Sequence, residues 1–454
     1  MSTTSLPPTE PPLQPKPLRL WPGVTALALQ WFSWFIVPLF FPPSILFAAV
    51  LTGIIMGLVI VVWWMFFSRM QWLERIAAIV LIVLSVILLQ RLVHVSIANG
   101  MMGAMLYVIS IPVMSLALVG AAVAGRRLSR AGRRVAIVVA ILVGCGILMA
   151  VRTEGITGNA QSDWRLRWSK SPEEILLAQG EEPVAPPSAA TSTSAGPESG
   201  WPGFRGAKRD GVVHGVRIET DWTQKPPVAI WRKPVGPGWS SFAVNNNLIY
   251  TQEQRGENEV VSCYDLATGK PVWRHNDNAR FWESNAGAGP RGTPTLSNGR
   301  VYTLGATGIV NALDALTGSV VWTRNAATDT KAKLPGWGFS GSPLVVGDVV
   351  IVAASGAIAG YDTANGNPRW MGPAGNAGYS SPHLLTIGGV EQVLFTNGQG
   401  VISVAPADGK MLWKYDWPSD SIVQPAITAD GDVLLGSGSG MATGVGVLRL
   451  AVEN

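Results

Sequence analysis

The chain has 454 residues, of which 48% are hydrophobic and only 14% charged, with a formal net charge of +5. That is too apolar for one water-soluble domain and too long for one core. Much of the basic excess lies between apolar runs near the N-terminus, so it reads as a membrane-topology signal and calls for no nucleic-acid partner.

Residues 1–20 form a polar tail, and residues 21–151 are almost continuously apolar. A helix needs about 20 apolar residues to cross a bilayer core. Five runs approach that length: Val24–Phe41, Ser44–Phe67, Ile76–Leu89, Gly100–Gly125 and Val135–Val151. The third reaches it by including Gln90, Arg91 and Leu92, and four or six spans are the alternatives. A signal peptide in the first run is disfavoured, because no small-residue cleavage site precedes the second. The runs show no Asp, Glu or Lys, the usual marks of an ion or substrate path.

Loop charges set the orientation. Lys16 and Arg19 precede the first run, Arg69 and Arg75 fall between the second and third, and Arg126, Arg127, Arg130, Arg133 and Arg134 between the fourth and fifth. The alternate loops hold only Arg91 and His94. Positive charge stays inside, so the N-terminus is expected in the cytoplasm and everything after Val151 outside. In a bacterium this is an inner-membrane protein with a periplasmic C-terminal part, and the lipid bilayer is its first partner.

Residues 152–200 read as a connector. Ser171, Pro172 and Glu174 have the form of a capping box, predicting a short helix to about Ala178. It is expected on the membrane surface beside Trp164 and Trp168. Glu181–Gly200, rich in Pro, Ser, Ala and Thr, reads as a flexible tether.

From residue 201 onward the chain repeats itself. "DLATGKPVW" (Asp265–Trp273) returns as "DALTGSVVW" (Asp314–Trp322), "DTANGNPRW" (Asp362–Trp370) and "APADGKMLW" (Ala405–Trp413). Gly269, Gly318, Gly366 and Gly409 hold the fifth position, and Trp the ninth. With Trp231, the tryptophans are spaced 42, 49, 48 and 43 residues apart. Short alternating strands at such a period are the signature of a β-propeller. Asp caps the turn, Gly takes positive φ, and Trp lays its ring between neighbouring blades. A second marker precedes each Trp by about 30 residues: Thr293-Pro294, Ser342-Pro343, Ser381-Pro382 and Gln424-Pro425, with Ser241-Phe242 as an imperfect first copy. These positions begin the innermost strands, beside the central channel. Residues 201–454 thus hold four whole blades and part of a fifth, and Trp231 stands in what reads as a lone final strand with no blade before it.

The A-x-D-x-x-T-G-x-x-x-W pattern resembles the tryptophan-docking motif of quinoprotein, or PQQ-like, β-propeller repeats. "WPGFRGAKRDGV" (Trp201–Val212) and "GAGPRGTPTLSNGRVYTLGATG" (Gly287–Gly308) resemble repeat proteins related to BamB-type outer-membrane assembly propellers. The resemblance implies about eight blades, so a chain truncated at its C-terminus is expected, the alternative being a five-bladed ring closed by Trp231. The order of parts also resembles the membrane-bound quinoprotein glucose dehydrogenases.

In such enzymes the resemblance implies pyrroloquinoline quinone stacked on a tryptophan beside calcium, with an aspartate base and often a disulfide of adjacent cysteines. Here the only cysteines are Cys145, in a span, and Cys263, in a strand. Glu283, Asp314 and Asp348 are scattered, and His94, His214, His275 and His383 lack zinc-ligand spacing. No catalytic or metal-binding residue is assigned, and PQQ with calcium has no support from these residues.

Eight positions are expected to line the channel: Trp239, Ser241, Arg291, Thr293, Trp337, Ser342, Tyr379 and His383. Such a ring suits a small anionic or planar ligand, with Arg291 facing a carboxylate. The competing reading is structural. Trp239 and Trp337 then fill interblade gaps, Arg291 pairs with a carbonyl or Glu283, and His383 is a strand-start residue. The expected function is a membrane-anchored periplasmic binding or scaffold module of the envelope with a protein partner. The alternative is a PQQ-dependent dehydrogenase passing electrons to the quinone pool, and a sensor or transporter-associated subunit ranks behind both.

Overall fold

The computed structural model describes residues 18–41, 45–156, 162–184, 200–213, 215–417, 422–437 and 446–451. Most of the N-terminal tail, the prolines of the "FPPS" turn, the bulk of the Pro/Ser-rich segment and His214 lie outside the described residues. Two compact units are present, residues 1–169 with 284–286, and residues 170–283 with 287–454.

The first unit contains five helices long and apolar enough to cross a membrane: α1 Trp21–Phe40, α2 Ala48–Phe67, α3 Trp72–Leu89, α4 Met105–Arg127 and α5 Arg130–Ala150. Their common core is built from Ile60, Trp64, Leu106, Leu118, Ile141 and Leu148. Polar side chains tie α1 to α2, with Gln30 Nε2 donating to Gly53 O at 2.9 Å and Ser33 Oγ to Ala49 O at 2.8 Å. Where α2 meets α4, a Cβ on Gly57 would stand 2.5 Å from Ile111 Cγ2. Small residues and such bonds hold helices together where no hydrophobic drive separates them from solvent.

Helix α3 begins four residues before the predicted Ile76, which corrects the expectation of spans without a buried acid. Glu74 and Arg75 sit in its first turn, both buried. Arg134 Nε donates to Glu74 Oε1 at 2.9 Å, and Arg75 Nη1 to Met65 O at 2.5 Å. A carboxylate at a helix N-terminus is favoured by the helix dipole, and its ion pair removes the burial penalty. Directly after α5 the chain turns back on itself as a hairpin, Val151–Ile156 against Ser162–Leu166, which the sequence reading left unassigned.

The second unit is a succession of antiparallel sheets whose strands follow in chain order. Blade one holds Ala243–Asn245, Leu248–Arg255, Asn258–Asp265 and Pro271–Asp277, with Gly200–Trp201 added inside the innermost strand. Blade two runs from Thr295–Ser297 to Val320–Asn325, blade three from Leu344–Val346 to Pro368–Ala374, and blade four from His383–Ile387 to Met411–Asp416. A fifth sheet has three strands among the described residues, ending at Gly446–Leu450. Inner strands such as Val349–Ala354 are buried on both faces, which explains their unbroken apolar runs.

The nine-residue repeat forms the joint between blades. Trp231, Trp273, Trp322 and Trp370 lie on Gly269, Gly318, Gly366 and Gly409, where an added Cβ would come no farther than 2.9 Å from the ring. Their indole N–H groups donate to Leu266 O, Ala315 O and Thr363 O at 2.9 Å and to Pro406 O at 3.1 Å. Those glycines have φ of 68–73°. Asp265 and Asp314 cap the turns, accepting from Thr268 N and Thr317 N at 2.8 Å. Trp413 differs, because its Nε1 donates to Gln392 Oε1 within its own blade at 2.6 Å.

Trp231 docks as the others do, but the predicted lone strand around it is not formed: the described residues between 215 and 242 contain no strand. Pro226, Pro227, Pro234 and Pro237 remove ladder donors there, and no partner strand pairs with the segment. The connector helix α6, Pro172–Ala178, carries the predicted capping box, Ser171 Oγ accepting from Glu174 N at 3.0 Å. Its partner is blade one. Glu173 accepts from Gly256 N at 2.9 Å and grips Arg280 with both carboxylate oxygens at 2.8 and 2.9 Å.

Candidate functional site

The innermost strands begin with a chain of backbone-to-hydroxyl bonds that runs from blade to blade. Ser241 N donates to Thr293 Oγ1 at 3.1 Å, Thr293 N to Ser342 Oγ at 3.0 Å, and Ser342 N to Ser381 Oγ at 2.9 Å. One hydroxyl in each of blades two, three and four therefore satisfies an amide of its neighbour, which explains Thr293, Ser342 and Ser381 at this point of their repeats. The proline that follows has no N–H to place, and its carbonyl is left for other donors.

Those donors come from Arg209, in the segment that precedes the strands of blade one. Arg209, 6% exposed, donates from Nη1 to Pro382 O at 2.8 Å and Ser342 O at 3.3 Å, and from Nη2 to Pro343 O. Burial lowers the guanidinium pKa to about 10, so it remains charged at neutral pH. Gln424 Nε2 donates to Arg209 O at 2.7 Å. His383, also buried, places Nδ1 2.8 Å from Pro425 O and Nε2 3.3 Å from Lys208 O. Burial lowers its pKa, outweighing the two carbonyl bonds that favour the charged ring, and the nearby Arg209 and Arg205 charges add to the lowering.

Arg291, Trp337 and Tyr379 form a second group. Arg291 donates to Gly287 O at 2.9 Å and to Ala288 O and Trp337 O at 3.3 Å, and lies 3.5 Å from Glu283 Oε1 and over the Phe281 ring. Burial pulls its pKa down, against Glu283 and Glu259. The Trp337 and Tyr379 rings are 5.0 Å apart. Trp239 stands outside this group and is 58% exposed, with its amide bonded to Pro290 O at 2.9 Å. The structure thus brings Ser241, Thr293 and Ser342 into one chain, sets His383 beside Arg209, and joins Arg291 to the two aromatic rings.

Three ionisable residues went unnoticed in the sequence. Arg209 lies outside the repeat, so periodicity could not find it. Glu253 and Glu259 lie on strands buried on both faces, and a charge in such a strand is itself a signal. Burial pushes the Glu253 carboxyl up, but Arg255 at 3.2 Å and bonds from Ser262, Tyr264 and Gly236 outweigh it and hold it below the usual range. Glu259 is raised to about 7, by burial first and by Asp277, although Ala306 N of blade two donates to it at 3.0 Å. An open groove of about 400 Å³ runs nearby past Asp277, Thr323, Arg324 and Asp329, but Arg324 is already paired with Asp329 at 3.0 Å.

Calcium prefers six to eight oxygen ligands, several of them carboxylates. Among the described residues no three His, Cys, Asp or Glu side chains converge, and the carbonyls at the inner strand starts already hold a guanidinium. These residues do not fit a calcium-supported quinone.

Four-stranded meanders joined by tryptophans on glycines, behind a unit of apolar helices, define a PQQ-like repeat protein of the β-propeller class. A family model described as "Outer membrane protein assembly factor BamB" matches residues 219–384 and 257–445. Together these cover 219–445, half of the 454 residues, and the chain belongs to that family. The outer membrane protein assembly factor BamB of Yersinia pestis is 25% identical over 205 residues, 42% of this chain and 48% of that protein. The chain therefore spans about half the length of that curated relative. The solved BamB of Moraxella catarrhalis is 16% identical, covering 46% of this chain and 58% of its own, with a TM-score of 0.31. For the quinohemoprotein alcohol dehydrogenase of Comamonas testosteroni the values are 17%, 44%, 40% and 0.34. Likenesses of that size carry nothing about activity across.

Proposed function

We propose that this is a membrane-anchored envelope protein whose propeller is a binding or scaffold module for another protein of the envelope. Residues 21–151 serve as its membrane domain and residues 201–454 as its propeller. The observation that carries the reading is the contrast between occupied inner strand starts and exposed aromatics. Arg209, the Ser/Thr chain and His383 bond the main chain at the strand starts of blades three and four, while Trp239 and Trp337 remain 58% and 36% exposed. Exposed aromatics beside polar groups that are already bonded suit a macromolecular surface better than a small ligand. The family's name points to the same envelope setting.

A photo-crosslinking residue placed at Trp239 or Trp337 is expected to give one shared discrete adduct in intact envelopes. A control at Leu316, exposed on a blade turn, is expected to give none. Equal labelling from all three positions, or none from any, removes the reading.

The charge pattern supports an N-terminus in the cytoplasm of a bacterial inner membrane and a propeller on the periplasmic side. A reporter that works only outside the cytoplasm, joined after Glu182, is expected to be active. The same reporter joined after Arg69 is expected to be silent, and the reverse pattern overturns the orientation.

A further inference from the structure

The carbonyls of Ser342, Pro343 and Pro382 converge on one buried point from two adjacent blades. One of the three, the Pro343 carbonyl, also accepts from Thr295 Oγ1 of blade two at 2.6 Å. Pro343 and Pro382 lack N–H groups, and the Ser342 amide is spent sideways on Ser381 Oγ at 2.9 Å. Three carbonyl dipoles with their negative ends turned inward make a place that stabilises a cation and penalises an empty or apolar filling. Their spread also matches a planar fork of N–H donors better than the single point of an ammonium.

Arg209 fills this place, and the chain is strained to put it there. Arg209 has φ of 54° and Arg205 φ of 60°, left-handed conformations that side-chain-bearing residues avoid. Among the described residues, every hydrogen bond of the Arg209 guanidinium goes to a main-chain carbonyl and none to a carboxylate. Nothing in the ion-pair logic of a buried arginine explains that choice, whereas recognition by a carbonyl ring does. The segment is further pinned by Gln424 on Arg209 O and by His383 beside Lys208 O, so the cation ties blades three and four together while its main chain reaches the start of the fifth sheet.

We propose that the inner strand starts of blades three and four form a guanidinium-binding site, for which Arg209 is the tethered resident ligand. The site recognises the planar cation itself, so a free guanidinium ion occupies it when the Arg209 side chain is removed.

The test uses the full chain purified in detergent, with propeller melting followed by tryptophan fluorescence. Arg209→Ala is expected to lower the apparent Tm by roughly 10 °C, the scale for uncovering a buried charge site in a domain of this size. Millimolar guanidinium chloride then raises the Tm of the variant by several degrees and leaves the parent unchanged or slightly lower. Urea, with the same planar shape and no charge, and ammonium chloride, with charge and no fork, give no recovery. A variant that melts like the parent, or one rescued equally by urea, overturns the proposal. Should Arg209→Ala fail to fold, Arg209→Gln keeps the stem and a planar amide. Full stability in Arg209→Gln shows that no cation is needed and also overturns it, whereas a loss reversed by guanidinium supports it.

Discussion

Replacing Gly318 by alanine tests whether the blade joint depends on the repeat glycine for the two reasons the structure gives. The first is backbone conformation. Gly318 has φ of 72°, where an L-residue costs about 1–2 kcal/mol. The second is space. The new Cβ would stand 2.5 Å from Trp273 Cε3 and 2.6 Å from Cδ2, nearly 1 Å inside the ordinary contact that begins near 3.4 Å. Overpacking of that kind costs about 1–3 kcal/mol, so the substitution should destabilise the propeller by roughly 2–5 kcal/mol. The two parts separate in a double-mutant cycle. Trp273→Leu alone removes a buried ring and its 2.9 Å bond to Ala315 O, at a cost of about 3 kcal/mol. In the double variant the clash has no partner, while the φ penalty remains. The cycle should therefore return a coupling of about 1–3 kcal/mol, read by denaturant unfolding of the whole chain in detergent with near-ultraviolet circular dichroism. Costs that add to within about 0.5 kcal/mol would refute the steric half of the account.

Glu259, raised from 4.5 to about 7 in the fold, binds its proton more tightly there than in the unfolded chain. Propeller stability should thus fall as pH rises from 4.5 to 7 and level off above, by about 3 kcal/mol in all, and Glu259→Gln should flatten that part of the profile. An unchanged slope in Glu259→Gln would assign the pH dependence elsewhere. Glu173→Gln breaks the two-oxygen grip on Arg280, and limited proteolysis near α6 should speed up about tenfold, equivalent to about 1.4 kcal/mol of local opening. A parental cleavage rate would mean that α6 is held by other contacts.

What the sequence disclosed follows from how each residue acts. The repeat was legible because Asp, Gly and Trp work within one turn and one neighbouring blade, so the same local physics recurs at every joint. The five apolar helices were legible because length and apolarity are properties of a single segment. Boundaries were harder. Glu74 and Arg75 looked like loop residues because a charge ends an apolar run, whereas in space they pair with Arg134 and the Met65 carbonyl. The α6 capping box was visible in four residues, but its docking depends on Glu173 meeting Arg280, 107 residues away. Trp231 shows the limit from the other side. Its ring performs the repeat's task, yet the prolines around it prevent the strand that the repeat implies.

The central positions extend that contrast. Ser241, Thr293 and Ser342 are expected beside the channel from their offset from the repeat tryptophans, and the structure joins them in one chain of bonds. What occupies the space among the inner strand starts could not be read the same way. Arg209 belongs to no repeat, and it reaches carbonyls 133 and 173 residues further along the chain. Four whole blades present similar inner ends, so nothing in the periodic part says where a single asymmetric ligand will sit. The information lies in the residues that break the period. In this chain those are a strained segment with two left-handed arginines and the aromatic side chains of Trp239 and Trp337, none of which has a counterpart in every blade. Symmetric positions hold the blades together, and specificity for any partner must come from the asymmetric ones, so substitutions at Trp239 and Trp337 should alter binding while leaving the blade joints intact.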